Sequence, residues 1–167
     1  MGAEKFGTQL KTFGYGVEPH EARRIIQIYR DSNFKISKVW RDANFMVQQM
    51  ASNRQAAFGL KGIVKVDADN QSLVMPSGLS ILYDQLGVEK TENGLEYTYK
   101  TRRGRTKIYG GKVVENVCQA IARCIIGEQM LQIAKKYRVV LTVHDSVVCC
   151  VPDAEVSDAQ SYIEECM

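Results

Sequence analysis

The chain has 167 residues, of which 45% are apolar, and this is enough for one globular domain with a substantial core. It contains neither a run of 18 apolar residues nor a secretory signal, so we expect no membrane span and no export. The net charge is +3, but it is unevenly distributed. Residues 100–107 hold five cations and no acidic residue, whereas the sequence after Arg138 has acidic residues but no Lys or Arg. One surface could therefore face a polyanion, although an ordinary solvated basic hairpin explains the charge equally well.

The five cysteines form no CxxC motif, and their neighbours are aliphatic. An odd number of cysteines in apolar surroundings predicts reduced thiols in the core of an intracellular protein. A zinc site is not expected, because the chain has only two histidines and neither lies at ligand spacing to a cysteine.

Two helices are predicted after a glycine-rich lead. The first begins at Glu18 and Pro19, since proline is favoured in the first helical turn. The second covers about residues 32–52, and a short link makes the pair a helical hairpin. Apolar residues of the second helix recur at helical spacing, which predicts one buried face: Ile36, Val39, Trp40, Ala43, Met46, Val47 and Met50.

Residues 60–110 change in character and predict short strands. The predicted strands lie at Val64 and at the runs 73–75, 79–86, 95–99 and 106–109, with turn-forming segments at 76–78 and 92–94. We therefore expect a loop-rich antiparallel meander that carries the basic cluster.

A long helix is predicted from residue 111 to about 137, buried over more than half of its circumference. Its remaining polar residues share one face: Lys112, Glu115, Asn116, Gln119 and Arg123. Side-chain amides on a largely buried helix could exchange hydrogen bonds with base edges or sugars. A merely solvated face is an equally acceptable reading.

The segments 138–143 and 147–151 are valine-rich and predict two antiparallel strands, buried on both faces, with His144, Asp145 and Ser146 at their turn. An aspartate in a turn can simply bond its own backbone. On a stiff hairpin, however, it is also a hard oxygen ligand suited to Mg²⁺. Together with the basic cluster, this favours a phosphoryl-transfer site on nucleic acid. A final helix is predicted with an apolar face formed by Ala159, Tyr162, Ile163 and Cys166.

Several segments resemble the C-terminal part of family A DNA polymerases, the bacterial DNA polymerase I type, and especially their bacteriophage members. LTVHDSVV, preceded by YGGKVVENVCQAIARCIIGEQML, is similar to the region around motif C. KFGTQLKTFGYGVEPHEARRIIQIYRDSNFKISKVW is similar to the fingers segment after the nucleotide-binding helix, and LVMPSGLSILY is similar to a phage Leu-Pro-Ser-Gly element. The similarity follows the order of the family along nearly the whole chain.

The resemblance implies an α+β fragment of a polymerase right hand. Residues 1–58 would be the C-terminal part of the helical fingers. Residues 59–167 would be an incomplete palm, in which an antiparallel sheet packs with a long helix and the motif C hairpin occupies 138–151. The motif A aspartate and the motif B helix of the family lie upstream of anything in this sequence, so we expect a fragment that does not polymerise alone.

The resemblance also implies roles for individual residues. Asp145 matches the metal-binding motif C aspartate, His144 the histidine near the primer terminus, and Gln119 the glutamine that contacts the duplex minor groove. Asn116 belongs to a phage pattern, and Lys112 is a plausible phosphate contact. Ser146 departs from the usual glutamate of motif C, and Cys124 stands where phage relatives often carry aspartate. From the charge pattern we add two expected DNA contacts, Arg103 and Arg105.

The implied cofactor is a pair of Mg²⁺ ions, for which this chain supplies one carboxylate, that of Asp145. The implied partners are primer–template DNA, deoxynucleoside triphosphates and the missing N-terminal portion of the polymerase, in the cytoplasm of a bacterial or phage-infected cell. A non-catalytic nucleic-acid-binding module and a decayed polymerase remnant are the alternatives. A nuclease is less favoured, because the sequence has no cluster of several acids.

Overall fold

The computed structural model describes residues 2–92 and 94–167, so Asn93 in the turn predicted at 92–94 lies outside the described residues. The fold is mixed α+β, as expected, with small antiparallel sheets and one long helix. The helices are α1 (Ala3–Thr12), α2 (Pro19–Ser32), α3 (Phe34–Ala51), α4 (Gly110–Ile133) and α5 (Val156–Cys166). The strands are β1 (Ala57–Phe58), β2 (Val64–Asp67), β3 (Ser72–Val74), β4 (Ser80–Leu82), β5 (Gly87–Thr91), β6 (Gly94–Thr101), β7 (Gly104–Ile108), β8 (Arg138–Val143) and β9 (Ser146–Cys150).

The glycine-rich lead is helical, which the sequence prediction did not include. Helix α1 has Glu4 in its first turn and Lys11 in its last, an arrangement that complements the helix dipole. A Cβ added to Gly7 would lie 3.7 Å from the Cβ of Ala22, so this glycine faces α2 at close range. This is an ordinary van der Waals distance, so the packing would also accept a Cβ, and the glycine does not indicate a loop here.

Helices α2 and α3 form the predicted helical hairpin. Helix α2 begins at Pro19, as the sequence indicated. The second half of the predicted α3 stripe is buried, but its first half is wrong, because Ile36 and Val39 are exposed. The stripe therefore reaches the core only from Ala43 onward.

The meander between α3 and α4 forms two antiparallel sheets, in the orders β1–β2–β3–β4 and β5–β6–β7. The strand predicted at 79–86 is wrong in extent, since β4 has only three residues. Gln71 intervenes: its Oε1 accepts a hydrogen bond from the Leu86 backbone N–H at 2.9 Å, and its Nε2 donates to the Leu86 carbonyl at 3.2 Å. The chain consequently turns before it starts β5, a strand that the prediction missed.

A first hydrophobic cluster lies between α3, the four-stranded sheet and the N-terminal half of α4. Its tightest contact is at Gly110, where an added Cβ would stand 1.9 Å from the Trp40 carbonyl oxygen. The Gly110 backbone N–H also donates to Asn44 Oδ1 at 2.5 Å. The fourteen buried members of this cluster are Ala43, Met46, Val47, Met50, Val64, Val66, Ala68, Leu73, Met75, Tyr83, Leu86, Ile108, Val113 and Val117.

Helix α4 ends at Ile133, earlier than predicted, and a smaller part of its circumference is buried than predicted. Ile125 and Leu131 are exposed, so the expectation that more than half of its circumference is covered is wrong at the C-terminal end. A second cluster forms there from three buried residues, Ile133, Tyr137 and Ala159. Partly buried side chains of β8, β9, the residue after β9 and α5 pack around them, and they include the predicted face of the last helix: Val139, Val147, Cys149, Val151, Tyr162, Ile163 and Cys166.

The hairpin of β8 and β9 is antiparallel, as predicted, but it is not buried on both faces. Thr142 pairs with Val147 and Val139 with Cys149, and this inner side faces the second cluster. The outer side is exposed to between 45% and 56% at Val140, Leu141, Val143 and Val148. Strand β8 also contains a register irregularity between Val139 and Leu141. The prediction failed because only one layer, that of α4 and α5, covers this two-stranded sheet within the described residues.

The cysteines are free thiols, but the prediction that they lie in the core is wrong. Cys118 and Cys150 are exposed, and the other three are partly exposed. Cys124 Sγ lies 3.0 Å from Ser77 Oγ. Within the described ranges, no helix is both long enough and apolar enough to cross a membrane.

Candidate metal and nucleic-acid site

The turn between β8 and β9 presents His144 and Asp145 at the end of the hairpin. Val143 pairs with Ser146, so these two residues alone form the turn. His144 has a φ of 54°, a left-handed conformation that costs an ordinary residue about 1–2 kcal/mol. Two-residue hairpin turns favour a positive φ, so this conformation follows from the pairing of the flanking strands.

The carboxylate of Asp145 is available for a ligand. Asp145 is exposed, and it makes no hydrogen bond or ion pair within the part of the chain that the structure describes. The alternative that this aspartate only hydrogen-bonds the backbone of its own turn is therefore not supported by the hydrogen bonds of the described residues. An unengaged carboxylate on a paired hairpin is free to bind a cation or a hydrogen-bond donor.

A complete two-metal site is not formed by this chain's described residues. No group of three or more His, Cys, Asp or Glu side chains comes close enough together among them to hold an ion. A pair of Mg²⁺ ions needs carboxylates on both ions, and Asp145 is a single ligand. The described residues thus offer one carboxylate ligand for such a site and not a complete ligand set.

The polar face of α4 is only partly free to contact nucleic acid. Lys112 Nζ donates to Glu115 Oε1 at 2.9 Å, and this hydrogen bond raises the pKa of Lys112. Gln119 Nε2 approaches the same carboxylate oxygen at 3.5 Å. Gln119 and Arg123 are exposed. Lys112 is therefore neutralised by a neighbour, while Gln119 keeps an accessible amide.

Asn116 points inward from that face. Its Nδ2 donates to the hydroxyl oxygen of Tyr83 at 3.1 Å. Tyr83 is fully buried, and its ring meets that of Tyr99 edge-on, with the ring centres 5.2 Å apart. Burial raises the pKa of Tyr83, and the hydrogen bond from Asn116 opposes that rise. Asn116 thus satisfies a core hydroxyl, a role that the sequence could not reveal because its partner lies 33 residues away.

The two arginines predicted to contact DNA have different surroundings. Arg105 donates from Nε to Thr98 Oγ1 at 2.9 Å and from Nη2 to the Thr98 carbonyl at 2.9 Å and the Gln85 carbonyl at 3.1 Å. Glu89 also lies 3.6 Å from Arg105 Nε. Arg103, in contrast, is exposed in the turn between β6 and β7. Arg102, beside it in the same turn, was missed, although two adjacent arginines before a glycine are a sequence signal for a charged turn.

The predicted site residues occupy three places on the molecule. His144 and Asp145 belong to the hairpin on the second cluster, whereas Lys112, Asn116 and Gln119 lie on the half of α4 that builds the first cluster. Arg103 and Arg105 lie on the three-stranded sheet. Within residues 2–92 and 94–167, no hydrogen bond or ion pair links Asp145 to either of the other two groups.

Comparison with known proteins gives one informative relative. The chain is 28% identical to a DNA polymerase of Bacillus phage SP02 over 153 residues, which cover 86% of this chain and 24% of that polymerase. The chain thus spans about a quarter of the length of this relative. No model of a protein family matches it, and no solved structure matches it significantly. The similarity supports a relationship to DNA polymerases.

Proposed function

We propose that the chain is part of a DNA-directed DNA polymerase of the family A type and contributes to template-directed nucleotidyl transfer. The observation that carries this proposal is the similarity to the phage SP02 DNA polymerase along most of the chain. The exposed, unengaged carboxylate of Asp145 at the tip of a hairpin agrees with it.

In this proposal Asp145 is one ligand of a Mg²⁺ site and His144 lies beside the reacting groups. At least one further carboxylate must come from polypeptide beyond the described residues, because these contain no metal-binding cluster of their own. The chain alone is therefore inactive, and its activity depends on the remaining polymerase.

The proposed partners are primer–template DNA and deoxynucleoside triphosphates. Gln119 has an exposed amide that can read the minor groove, where base pairs offer mainly acceptors. Lys112 is a weaker candidate for a phosphate contact, because Glu115 already holds its ammonium group. Asn116 would act on DNA only indirectly, by supporting α4 from the core side.

The test is a chimera in which this chain replaces the matching segment of the phage SP02 polymerase. We expect the chimera to extend a primer with Mg²⁺ and nucleotides. We expect Asp145→Asn to reduce extension at least about 100-fold, since even residues that merely support metal ligands cost 10–100-fold. The matched control is Asp69→Asn, which removes another exposed turn aspartate, between β2 and β3, and should leave extension unchanged.

Two results would contradict the proposal. A folded chimera that does not extend primers would separate this chain from polymerase function. Equal extension by Asp145→Asn and by the unmodified chimera would show that this carboxylate binds no catalytic metal. Circular dichroism of each variant establishes that it is folded.

A non-catalytic nucleic-acid-binding module is a second candidate, favoured by the single carboxylate and the lack of a metal-binding cluster among the described residues. In that case the isolated chain binds DNA with an affinity that neither Mg²⁺ nor Asp145→Asn changes. The chimera and the DNA-binding assay together therefore distinguish the two functions.

A further inference from the structure

The turn between β6 and β7 is held by hydrogen bonds and carries two arginine side chains without ion-pair partners among the described residues. Thr101 pairs with Gly104, which leaves Arg102 and Arg103 as the turn. Thr101 Oγ1 donates to the Gly104 carbonyl at 2.7 Å and accepts from the Arg103 backbone N–H at 3.3 Å. Gly104 has a φ of 115°, which favours glycine. The turn is thus fixed by its own hydrogen bonds, while both arginine side chains extend into solvent.

Two of the other three cations of residues 100–107 are engaged in cross-strand contacts on the surface of the sheet. Lys107 Nζ pairs with Glu96 at 2.5 Å, and Arg105 has the four partners described above. Neither Arg102 nor Arg103 has an ion-pair partner among the residues that the structure describes. The unpaired positive charge of this segment therefore lies at the turn and at the neighbouring Lys100 of β6, which is also exposed and without an ion-pair partner among the described residues.

Arg105 ties the hairpin to the chain that precedes β5. Its Nη2 bonds the Gln85 carbonyl, and Gly87 leaves room for it, because an added Cβ there would lie 3.1 Å from Nη2. A lysine could keep the charge but could not reproduce this forked set of hydrogen bonds. The guanidinium therefore acts as a brace for the hairpin.

We infer that Arg102 and Arg103 form a phosphate-binding tip that holds a nucleic-acid backbone, and that Arg105 is a positioning residue for this tip, not a DNA contact. The inference rests on the proposed function for the identity of the ligand. It replaces the expected pair of contacts, Arg103 and Arg105, with the pair Arg102 and Arg103. Guanidinium groups match phosphate oxygens in charge and in planar, forked geometry.

The first experiment measures the binding of the full chain to a duplex with a single-stranded overhang, at several salt concentrations. Each phosphate contact contributes about 0.9 to the slope of log K against log[salt] for duplex DNA. We expect the double variant Arg102→Ala/Arg103→Ala to lower that slope by about 2. Between 50 and 200 mM salt, its affinity should then fall about tenfold less than that of the unmodified chain.

The matched control is Arg23→Ala/Arg24→Ala, which removes two adjacent exposed arginines from α2. This variant has the same net charge as the tip variant, and we expect it to keep the slope of the unmodified chain. An equal drop in both variants would reduce the effect to net charge and overturn the inference.

The brace is tested with Arg105→Lys, which preserves charge. We expect weaker binding at every salt concentration with an unchanged slope, because the tip remains charged but is less well held. In the background of the tip variant, the same substitution should have no further effect on affinity. An additive loss in that background would overturn the positioning role.

The remaining outcomes separate this inference from the proposed function. If the unmodified chain binds the duplex and the tip variant keeps its slope, the phosphate-binding tip is wrong while the polymerase relationship stands. If the unmodified chain binds no duplex at all, the tip is wrong as well. Primer extension by the chimera then decides the proposed function by itself.

Discussion

The two ends of α4 belong to regions that differ sharply in how much they bury. The N-terminal half packs into a cluster with fourteen buried members drawn from α3 and both larger sheets. The C-terminal end meets a hairpin and a short helix in a cluster with only three buried residues among those that the structure describes. Since burial of apolar side chains is the main stabilising contribution, the first region should be considerably more stable than the second.

The candidate metal ligand lies in the weaker of the two regions. The hairpin that carries Asp145 has a covered inner side and an apolar outer side that is about half exposed. A two-stranded sheet of this kind is at best marginally stable by itself. The position of the Asp145 carboxylate therefore depends on the few contacts of the second cluster, and the proposed metal binding depends on the stability of that cluster.

The largest expected effect tests the tight contact of the first region. Gly110→Ala places a Cβ against the Trp40 carbonyl, a backbone atom that cannot swing away. We expect a loss of about 3 kcal/mol or more, at the upper end for overpacking, measured as the free energy of unfolding in urea. Gly127→Ala is the control in the same helix, where the added Cβ has open space and helix propensity predicts a gain of about 1 kcal/mol. Similar effects of the two substitutions would contradict the close approach.

Truncation of one buried residue in each region compares them directly. Leu73→Ala and Ile133→Ala each remove a fully buried aliphatic side chain and should each cost about 2–5 kcal/mol. Leu73→Ala should lower global stability, whereas Ile133→Ala should mainly open the hairpin. Hydrogen exchange resolves this difference, because in the second variant the loss of protection should be confined to β8, β9 and α5, which pack around Ile133. Loss of protection throughout the chain in both variants would show that the regions unfold as one unit.

Asn116 tests whether the polar face of α4 serves the core. Asn116→Ala leaves the buried Tyr83 hydroxyl without its donor, and we expect a cost of about 1–3 kcal/mol. In a Tyr83→Phe background the same substitution should cost clearly less, since no hydroxyl remains to be satisfied. Thermal unfolding of the four proteins in this cycle gives the coupling. Equal costs in both backgrounds would mean that the hydrogen bond contributes nothing.

The smallest expected effect concerns the turn of the weaker region. His144→Gly relieves the left-handed backbone strain, which is partly offset by the greater chain entropy of glycine, and we expect a gain of up to about 1 kcal/mol. Slower hydrogen exchange in β8 and β9 would report it. Primer extension by the chimera should fall at the same time if the imidazole contributes to the reaction. A turn that becomes less protected would show that His144 stabilises the hairpin by contacts of its own.

The elements with strong periodicity were predictable from the sequence, and the layers that cover them were not. The start of α2 at Pro19, the pairing of β8 with β9 and the inner face of α5 follow from local patterns. Burial of β8 and β9 was wrong because valine-rich strands look alike whether one face or both faces are covered. Helix α1 was missed because glycine lowers helix propensity, and no local pattern shows that this segment packs against Ala22 of α2.

The candidate site divides along the same line. The exposed turn position of Asp145 could be predicted, because an unpaired carboxylate between two short strands is costly to bury. The inward orientation of Asn116 and the bracing role of Arg105 depend on Tyr83, Gln85 and Thr98, partners distant in sequence that no spacing rule identifies. Residue type thus indicated chemistry, while only tertiary contacts decided which groups are free to perform it.

The shared helix also fixes a relation of angle and distance between the two regions. From Val113 to Ile133, α4 acts as one rod about 30 Å long, at 1.5 Å per residue. One residue inserted midway would rotate everything beyond it by about 100° about the helix axis. Ile133 would then lose its contacts in the second cluster, or Val113 would lose its contacts in the first. The number of residues in this helix is therefore as constrained as their identity, and natural variation in length is expected in the loops around it.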